Sequence, residues 1–508
     1  MTSDPKQQTV ERWGFFEAAL PGPDTANPFI DVKLSARFQG PGSPVTVRGF
    51  YDGEGSYKVR FMPGETGRWT WTTSSNRKEL DGKKGTFTCS DPAEENHGPV
   101  RVKGFHFSFA DGTPFFPMGT TAYAWTYRPE VIRQKTLESF SRYGFNKIRM
   151  LFFPKQYGDG HNADISYEPT HLPFEGRPGK LDFTRFVPEY FRNFEQRVLD
   201  LLLRGIQADV ILFHVYDFGH WGIDTGMNEE ATYFYLDYLL SRLSAFRNVW
   251  WSLANEFDLE STRPGELRLT MERRQWDTIG RYVQENDPYG HPRSIHNFPF
   301  QWVYPDRDWM THVSYQHPDT YTLLMDLKRR YSKPVIDDEY QYEGNLATDW
   351  GNCTPEREIY RHWLTAMAGG YGTHGETYRV EGNIKDIFWS YGGELVGGSP
   401  PRLKYMKSII ESCPFQEMEP DLLRGNGHEL FCLAKDPNIY LFFKTPWFKS
   451  QDKLYVGSLA AKEETYEATI YDVWNCLVKE RTRVRRGLVQ LELPPWAAVK
   501  LVRQTKAE

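Results

Sequence analysis

The sequence predicts an α/β protein: a (β/α)8 TIM barrel flanked by an N-terminal β-sandwich and a small C-terminal all-β domain. Three observations predict it. The chain has 508 residues, too many for one compact domain of about 100–200 residues. Short alternating runs separated by Gly/Pro turns occupy both ends of the chain, as antiparallel sheets require. Between them, apolar strand-like runs alternate with helical stripes through eight units. Eight parallel units close into a barrel more readily than they form an open sheet. The expected divisions are 1–98, 99–412 and 413–508.

In the first segment the alternation lies in Val32–Phe38, Tyr57–Phe61 and Arg68–Thr73. Turns at Gly40–Gly42, Pro63–Gly64 and Gly82 separate the runs. An antiparallel, immunoglobulin-like sandwich with no catalytic cluster is expected. A linker from about Ser90 to Gly104 follows.

The barrel opens with Phe115–Gly119, a short buried run. Pro129–Tyr143 is a helix stopped by Gly144. Phe145–Phe153 is the second strand. Phe191, Phe194, Val198 and Leu201 form a helical stripe ending at Gly205. Ala208–Phe213 is the third strand, and Tyr235, Leu239, Leu243 and Phe246 make the next stripe. Asn248–Ala254 is the fourth strand. Arg293–His296, His312–Tyr315, Pro334–Ile336 and Ala368–Gly372 complete the eight. Helices are expected around Trp276–Val283, Leu323–Tyr331 and Ile359–Met367. Asn297–Thr311 shows no helix, only an aromatic loop. The long loop from Pro154 to about Arg185 is expected to cover the barrel mouth. From Cys413 the strand pattern returns in Ile439–Phe443, Lys453–Val456, Glu467–Tyr471 and Ala497–Val502.

Composition narrows the function. A net charge of −6 gives no electrostatic footprint for nucleic acid or an anionic membrane. Aromatics reach 16%, enough to fill large cores or to stack on sugar rings. The first residues carry no apolar signal segment, and no run of about 18 apolar residues appears. A cytoplasmic protein is expected. Cys89, Cys353, Cys413, Cys432 and Cys476 are far apart, which fits free structural thiols. No cofactor is expected.

In a barrel of this kind active residues sit at the carboxyl ends of strands. Those ends carry Thr121, Tyr123 and Trp125 (first), Arg149 (second), and His214, Asp217 and His220 (third). They continue with Asn255-Glu256 (fourth), Tyr315-Gln-His317-Pro-Asp319 (sixth), Asp337-Asp-Glu339 (seventh) and His374-Gly-Glu376 (eighth). Glu256 and Glu339 each follow an apolar strand. Two carboxylates across a pocket suit glycosidic cleavage. One is protonated to serve the leaving oxygen and one is ionised to attack. A separation of about 5–5.5 Å gives retention, and about 6.5–9.5 Å gives inversion. Glu343 and Glu376 are the alternatives to Glu339. Asp337 and Asp338 are expected to be structural.

Trp250-Trp-Ser-Leu-Ala-Asn255-Glu256 resembles the strand-four signature of clan A glycoside hydrolases. Lys333-Pro-Val-Ile-Asp-Asp-Glu339-Tyr resembles their strand-seven signature, and Tyr143-Gly-Phe-Asn-Lys-Ile-Arg149 the strand-two segment. Gly369-Gly-Tyr-Gly-Thr-His-Gly-Glu-Thr-Tyr378, followed by Trp389, is similar to the apiosidase-like and endoglucanase-like branch. The sequence departs in Tyr315-x-His317, where relatives carry His-x-Tyr, and in Gly119-Thr-Thr, where that branch carries Gly-Asp-Thr. The resemblance implies a retaining enzyme with Glu339 as nucleophile and Glu256 as acid/base. Arg149 and a strand-six group, Tyr315 or His317, would support Glu339. Asn255 would hold a sugar hydroxyl. His214 and His374 are further candidates for substrate contact, and Trp125, Trp221, Trp302 and Trp389 for stacking. The substrate is then an oligosaccharide or small glycoside, taken in exo fashion, with homo-oligomerisation left open. Two other classes compete: a non-catalytic carbohydrate-binding barrel, and a metal-dependent hydrolase built on His214, Asp217, His220 and Asp224.

Overall fold

A computed structural model of the chain describes residues 8–156, 168–214, 217, 220–259, 273–299, 303–379, 387–447, 453–457 and 464–504. The expected barrel is its centre. The strands run Gly119–Thr121, Lys147–Leu151, Gln207–His214, Val249–Asn255, Arg293–Ser294, Val313–Tyr315, Val335–Asp337 and Tyr371–His374. They pair in parallel in that order, and the first also pairs with the eighth. A parallel bridge from His296 to Ser314 closes the ring between the fifth and sixth strands. The second, third and fourth strands are buried along their whole length, as strands covered on both faces must be.

Polar residues share that interior. The Lys147 ammonium lies 2.7 Å from Asp209 and 2.9 Å from Asp338, with all three side chains buried. The barrel's lower end is closed by a small antiparallel sheet of Val100–Lys103, His106–Phe109 and Pro114–Phe115. Its Phe107 packs on Trp250, His312 and Tyr371. Two expectations are corrected here. The linker before Gly104 contains a strand, and Phe115 belongs to the closing sheet; the first barrel strand starts at Gly119.

The eighth strand begins three residues later than its composition suggested. Ala368 and Gly369 donate backbone hydrogen bonds into the preceding helix, Pro355–Met367, and Gly369 takes φ +75°. The apolar small residues there finish a helix through a left-handed glycine. Other helices fall at Glu130–Tyr143, Pro188–Leu202, Glu229–Leu243, Arg273–Asn286 and Thr322–Tyr331. Gly144 ends the first of these at φ +69°. No helix lies between the fifth and sixth strands among the described residues. The long loop after the second strand carries a hairpin, Phe174–Arg177 with Lys180–Phe186.

Residues 8–90 form a seven-stranded sheet that curls over its own core. Val45–Tyr51 pairs along its first half with Leu34–Gln39 and along its second with Ser56–Phe61. Phe16 and Phe87, near opposite ends of the sheet, stack at 4.4 Å across the core. The sheet is not wholly antiparallel, because Gln8–Glu11 runs parallel to Phe87–Ser90. It docks on the barrel helices through buried charge. Arg60 meets Glu195 at 2.9 Å, and Arg242 meets Asp52 at 2.7 Å and also pairs with Glu195.

After a helix at Ser399–Glu411, a six-stranded antiparallel sheet contains Leu430–Lys435, Ile439–Lys444, Thr465–Asp472, Leu477–Arg485 and Ala497–Arg503. Trp363 of the Pro355–Met367 helix stacks on its Phe443 at 4.6 Å. All five cysteines are free. Among the described residues no helix is long and apolar enough to cross a membrane.

Candidate active site

The fourth strand ends at Asn255, and Glu256 follows with φ +49°. That left-handed conformation costs a non-glycine residue about 1–3 kcal/mol and recurs where a side chain must be aimed. Glu256 is half-buried. The seventh strand ends at Asp337, and Asp338 and Glu339 continue into its loop. Tyr123 follows the first strand. Its backbone is fixed between Trp389, whose carbonyl accepts at 3.0 Å, and Leu151, whose N–H donates at 2.9 Å.

Barrel closure brings these ends together. Glu339 Oε1 accepts from the Tyr123 hydroxyl and, at 2.8 Å, from Nη1 of Arg149. Burial and the nearby Glu339 charge push the Tyr123 phenol well above its ordinary range, so it stays a donor. The other Arg149 terminal nitrogen donates to Oδ1 of Asn255. One guanidinium thus bridges the two strand ends, and its fork fixes the Asn255 amide with the nitrogen as its remaining donor.

Below Glu339, Asp338 is wholly buried and accepts from Lys147 (2.9 Å), Ser314 Oγ (2.6 Å) and Thr373 Oγ1 (2.6 Å). Burial pushes its carboxyl up, but Lys147 and Arg149 outweigh burial and leave it an anion. His296, from the end of the fifth strand, has Nδ1 3.0 Å from Ser314 Oγ and Nε2 3.9 Å from Glu339 Oε1. Burial, then the Arg149 charge, bring its pKa down to about 4. The Gln316 amide lies 3.1 Å from His296 Nε2 and, through the same atom, 3.2 Å from Glu256 Oε1. Contacts therefore run from Glu339 through His296 and Gln316 to Glu256.

Several expected site residues lie elsewhere. Tyr315 is buried beside Asp337, whose carboxyl burial pushes well above its ordinary range, and its hydroxyl is 3.4 Å from the Asp319 carbonyl. His317 Nδ1 accepts from the Asp319 N–H in a turn. Besides Arg149, the groups next to Glu339 come from the first and fifth strands, not the sixth. His374 is buried against Phe145, with Nδ1 2.9 Å from Thr120 Oγ1. Trp125 is fully buried and packs edge-on to Phe140, so it offers no face to a sugar. Trp221 is buried too, and its indole N–H donates to Asp217. Trp302 lies outside the described residues. Trp389 is half-buried, 5.6 Å from Tyr123 and 5.0 Å from Trp350 by ring centroids. His214 pairs in register with Asn255, and its Nε2 is 3.2 Å from the Pro154 carbonyl.

Among the described residues, His214, Asp217 and His220 form no group at metal-ligand spacing. Asp217 is taken up by Lys155, the Gln156 N–H and Trp221. His220 faces Glu168, and the Asp224 side chain lies outside the described residues. Among the described residues one other group has ligand atoms within 4.8 Å of one another: Glu343, His374 and Glu376. Glu343 accepts from Gly398 N, Tyr378 OH, Ser399 N and Ser399 Oγ. Four donors fill its four lone-pair positions and leave none for an ion. This saturated carboxylate caps the helix that starts at Ser399. Glu376 accepts from the Val396 and Gly397 N–H groups, and burial raises its pKa to about 8. Both alternatives to Glu339 are thus committed to holding a loop.

Comparison with known proteins agrees with this layout. Residues 103–385 match the family "Apiosidase-like, catalytic domain", and residues 9–76 match a domain of unknown function, DUF5060. No curated protein matches the chain. A candidate glycoside hydrolase from Bacteroides vulgatus ATCC 8482 is 35% identical, with TM-score 0.87 over 98% of this chain and 100% of its own. A glycoside hydrolase family 5 structure from the same organism has TM-score 0.59 at 17% identity, covering 80% of this chain and 93% of its own. A further glycoside hydrolase has TM-score 0.60 at 15% identity, covering 82% and 100%. These last two share the fold. With the family match spanning more than half of its length, and paired acids at the carboxyl ends of a closed barrel, the chain belongs to the apiosidase-like family of glycoside hydrolases.

Proposed function

We propose that the protein is a retaining, exo-acting glycosidase that cleaves a β-linked glycoside or oligosaccharide through a covalent glycosyl-enzyme intermediate. One observation carries the reading. Glu339 is buried and served by Tyr123 and Arg149, and Glu256 is linked to it through Gln316 and His296. In the first step a Glu339 oxygen bonds to the anomeric carbon while the bond to the leaving oxygen breaks. Glu256 gives that oxygen its proton. In the second step Glu256 takes a proton from water, the water oxygen replaces Glu339, and the anomeric configuration is restored. Asn255, oriented by Arg149, donates to a sugar hydroxyl near the reacting carbon. Trp389 supplies a ring face beside the nucleophile.

On this reading residues 99–412 form the catalytic unit, and residues 1–98 and 413–508 brace it. The exo reading rests on the length of the loop after the second strand, within which the hairpin Phe174–Phe186 lies.

A panel of nitrophenyl glycosides, followed by proton NMR of the fresh product, tests the reading. Hydrolysis with retained configuration is expected, and Glu339→Gly should lose it. An inverted product, or near-normal turnover by Glu339→Gly, would overturn the mechanism. Binding without hydrolysis by the wild type would favour a carbohydrate-binding protein.

A further inference from the structure

Gln316 sits between two residues that the strand-six pattern singles out, and its contacts are set by a chain of polar groups that starts elsewhere. Asp338 is an anion and can only accept. Ser314 has one hydroxyl proton, and it goes to Asp338 Oδ2 at 2.6 Å. The contact between Ser314 Oγ and His296 Nδ1 at 3.0 Å therefore needs the proton on the imidazole nitrogen. A neutral His296 protonated at Nδ1 has a bare Nε2, which can only accept.

The Gln316 side-chain atom facing that nitrogen at 3.1 Å must then be the amide nitrogen. The same atom is 3.2 Å from Glu256 Oε1 and 3.2 Å from the Asn297 carbonyl. Three acceptors converge on two N–H protons. A carbonyl oxygen in that place would meet an acceptor at every contact. The Gln316 backbone is held as well, its N–H donating to Asn297 Oδ1 at 3.3 Å.

We infer that Gln316 is a positioning residue for Glu256: its amide, turned by the relay Asp338–Ser314–His296, donates to the Glu256 carboxylate, holds it in place and favours its ionised form. The inference rests on the glycosidase reading only in taking Glu256 to be the acid. The relay starts at the buried anion beneath Glu339, so the two acids are joined through one polar chain. A donor to a carboxylate stabilises the charged form. Among the described residues, the titratable and charged groups near Glu256 include Tyr123, Glu339 and Arg149 on the nucleophile side, His296 beyond the amide, and Asp258 two residues on.

The experiment titrates Glu256 directly. The full-length protein is labelled with carboxyl-13C glutamate, and infrared difference against Glu256→Gln isolates the Glu256 band. Gln316→Met keeps the side-chain length without the donor. Its Glu256 midpoint should rise by about one pH unit, the size expected for one lost hydrogen bond to a charged group. Ser314→Ala cuts the relay two steps away and should move the midpoint the same way by less. A Glu256 midpoint unchanged in both variants overturns the inference.

The glycosidase reading is separated by the basic limb of kcat/KM against pH on a nitrophenyl glycoside. If the midpoint moves and the limb does not, Gln316 acts on Glu256 as inferred, but Glu256 is not the acid. If both move together, both assignments stand.

Discussion

The Tyr123 hydroxyl, just past the first barrel strand, donates to Oε1 of Glu339, just past the seventh, and the Arg149 guanidinium reaches the same oxygen. Two donors from different strands thus fix one carboxylate oxygen before any substrate arrives. Tyr123→Phe removes one donor and changes nothing else in shape. A hydrogen bond to a charged group is worth about 1.5–3 kcal/mol, so kcat/KM should fall about 10- to 100-fold. KM should move little, because Tyr123 touches the nucleophile and not the sugar's periphery. Steady-state kinetics on the best nitrophenyl substrate checks this. A loss below twofold would mean that Arg149 alone suffices.

Of the described candidates Trp125, Trp221 and Trp389, Trp389 is the partly exposed one, and it packs on Tyr123, the donor to Glu339. Trp389→Ala should raise KM about fivefold or more, since ring stacking contributes about 1 kcal/mol. Its kcat should fall less. Trp125→Phe, by contrast, alters a core contact with Phe140 and should lower Tm while leaving KM in place. If the two variants behave alike, the distinction between platform and packing fails.

The curled N-terminal sheet is fixed to the barrel by buried charge. Glu195 accepts from both Arg60 and Arg242. Burial alone would raise its carboxyl, but the two arginines hold it below the usual range. Glu195→Ala leaves two buried guanidinium groups short of a partner. Removing one member of a buried pair costs about 3–5 kcal/mol. Urea denaturation should show that loss, with the barrel and the sheet unfolding together. A change under 1 kcal/mol would mean that Asp52 and Glu17 take over the charge.

The second, third and fourth strands were legible because each is a mainly apolar run followed by polar residues, and barrel geometry then places those residues at one rim; the first and eighth were read early because apolar residues precede them. Four of the strand-end residues read from the sequence, Arg149, Asn255, Glu256 and Glu339, are brought together by the fold. The site was not legible on the sixth strand, where parity decides. Residues at i and i+2 share a face, so reading Tyr315 and His317 inward forces Gln316 outward. The fold has the opposite parity: Ser314 and Gln316 face the relay, while Tyr315 lies with Asp337. Nothing in the local pattern fixes that choice, because every residue of the strand is buried. Tyr123 and His296 were in view as residues of strand ends, but only closure shows what they touch. Trp125 was misplaced because a strand end does not say which way a following 3-10 turn will point its rings.

Acid should unfold the protein in a window set by histidines. His106, His296 and His362 are buried with pKa values lowered to about 4, and His312 to about 3, in each case first by burial. In the unfolded chain each titrates near 6.5. Above pH 6.5 all are neutral in both states, and their contribution to stability is complete. As pH falls from about 6.5 toward 4, the unfolded chain takes up protons that the fold refuses. Each histidine then contributes a slope of up to about 1.4 kcal/mol per pH unit. Four together should make Tm fall steeply between pH 6 and 4.5, before the carboxylates protonate. His312 packs on Phe107 and Trp250, so His312→Phe tests one member of the set. It should flatten the slope even if it lowers Tm at pH 7. A Tm that stays level from pH 6.5 to 4.5 in the wild type would show that these imidazoles gain protons without unfolding.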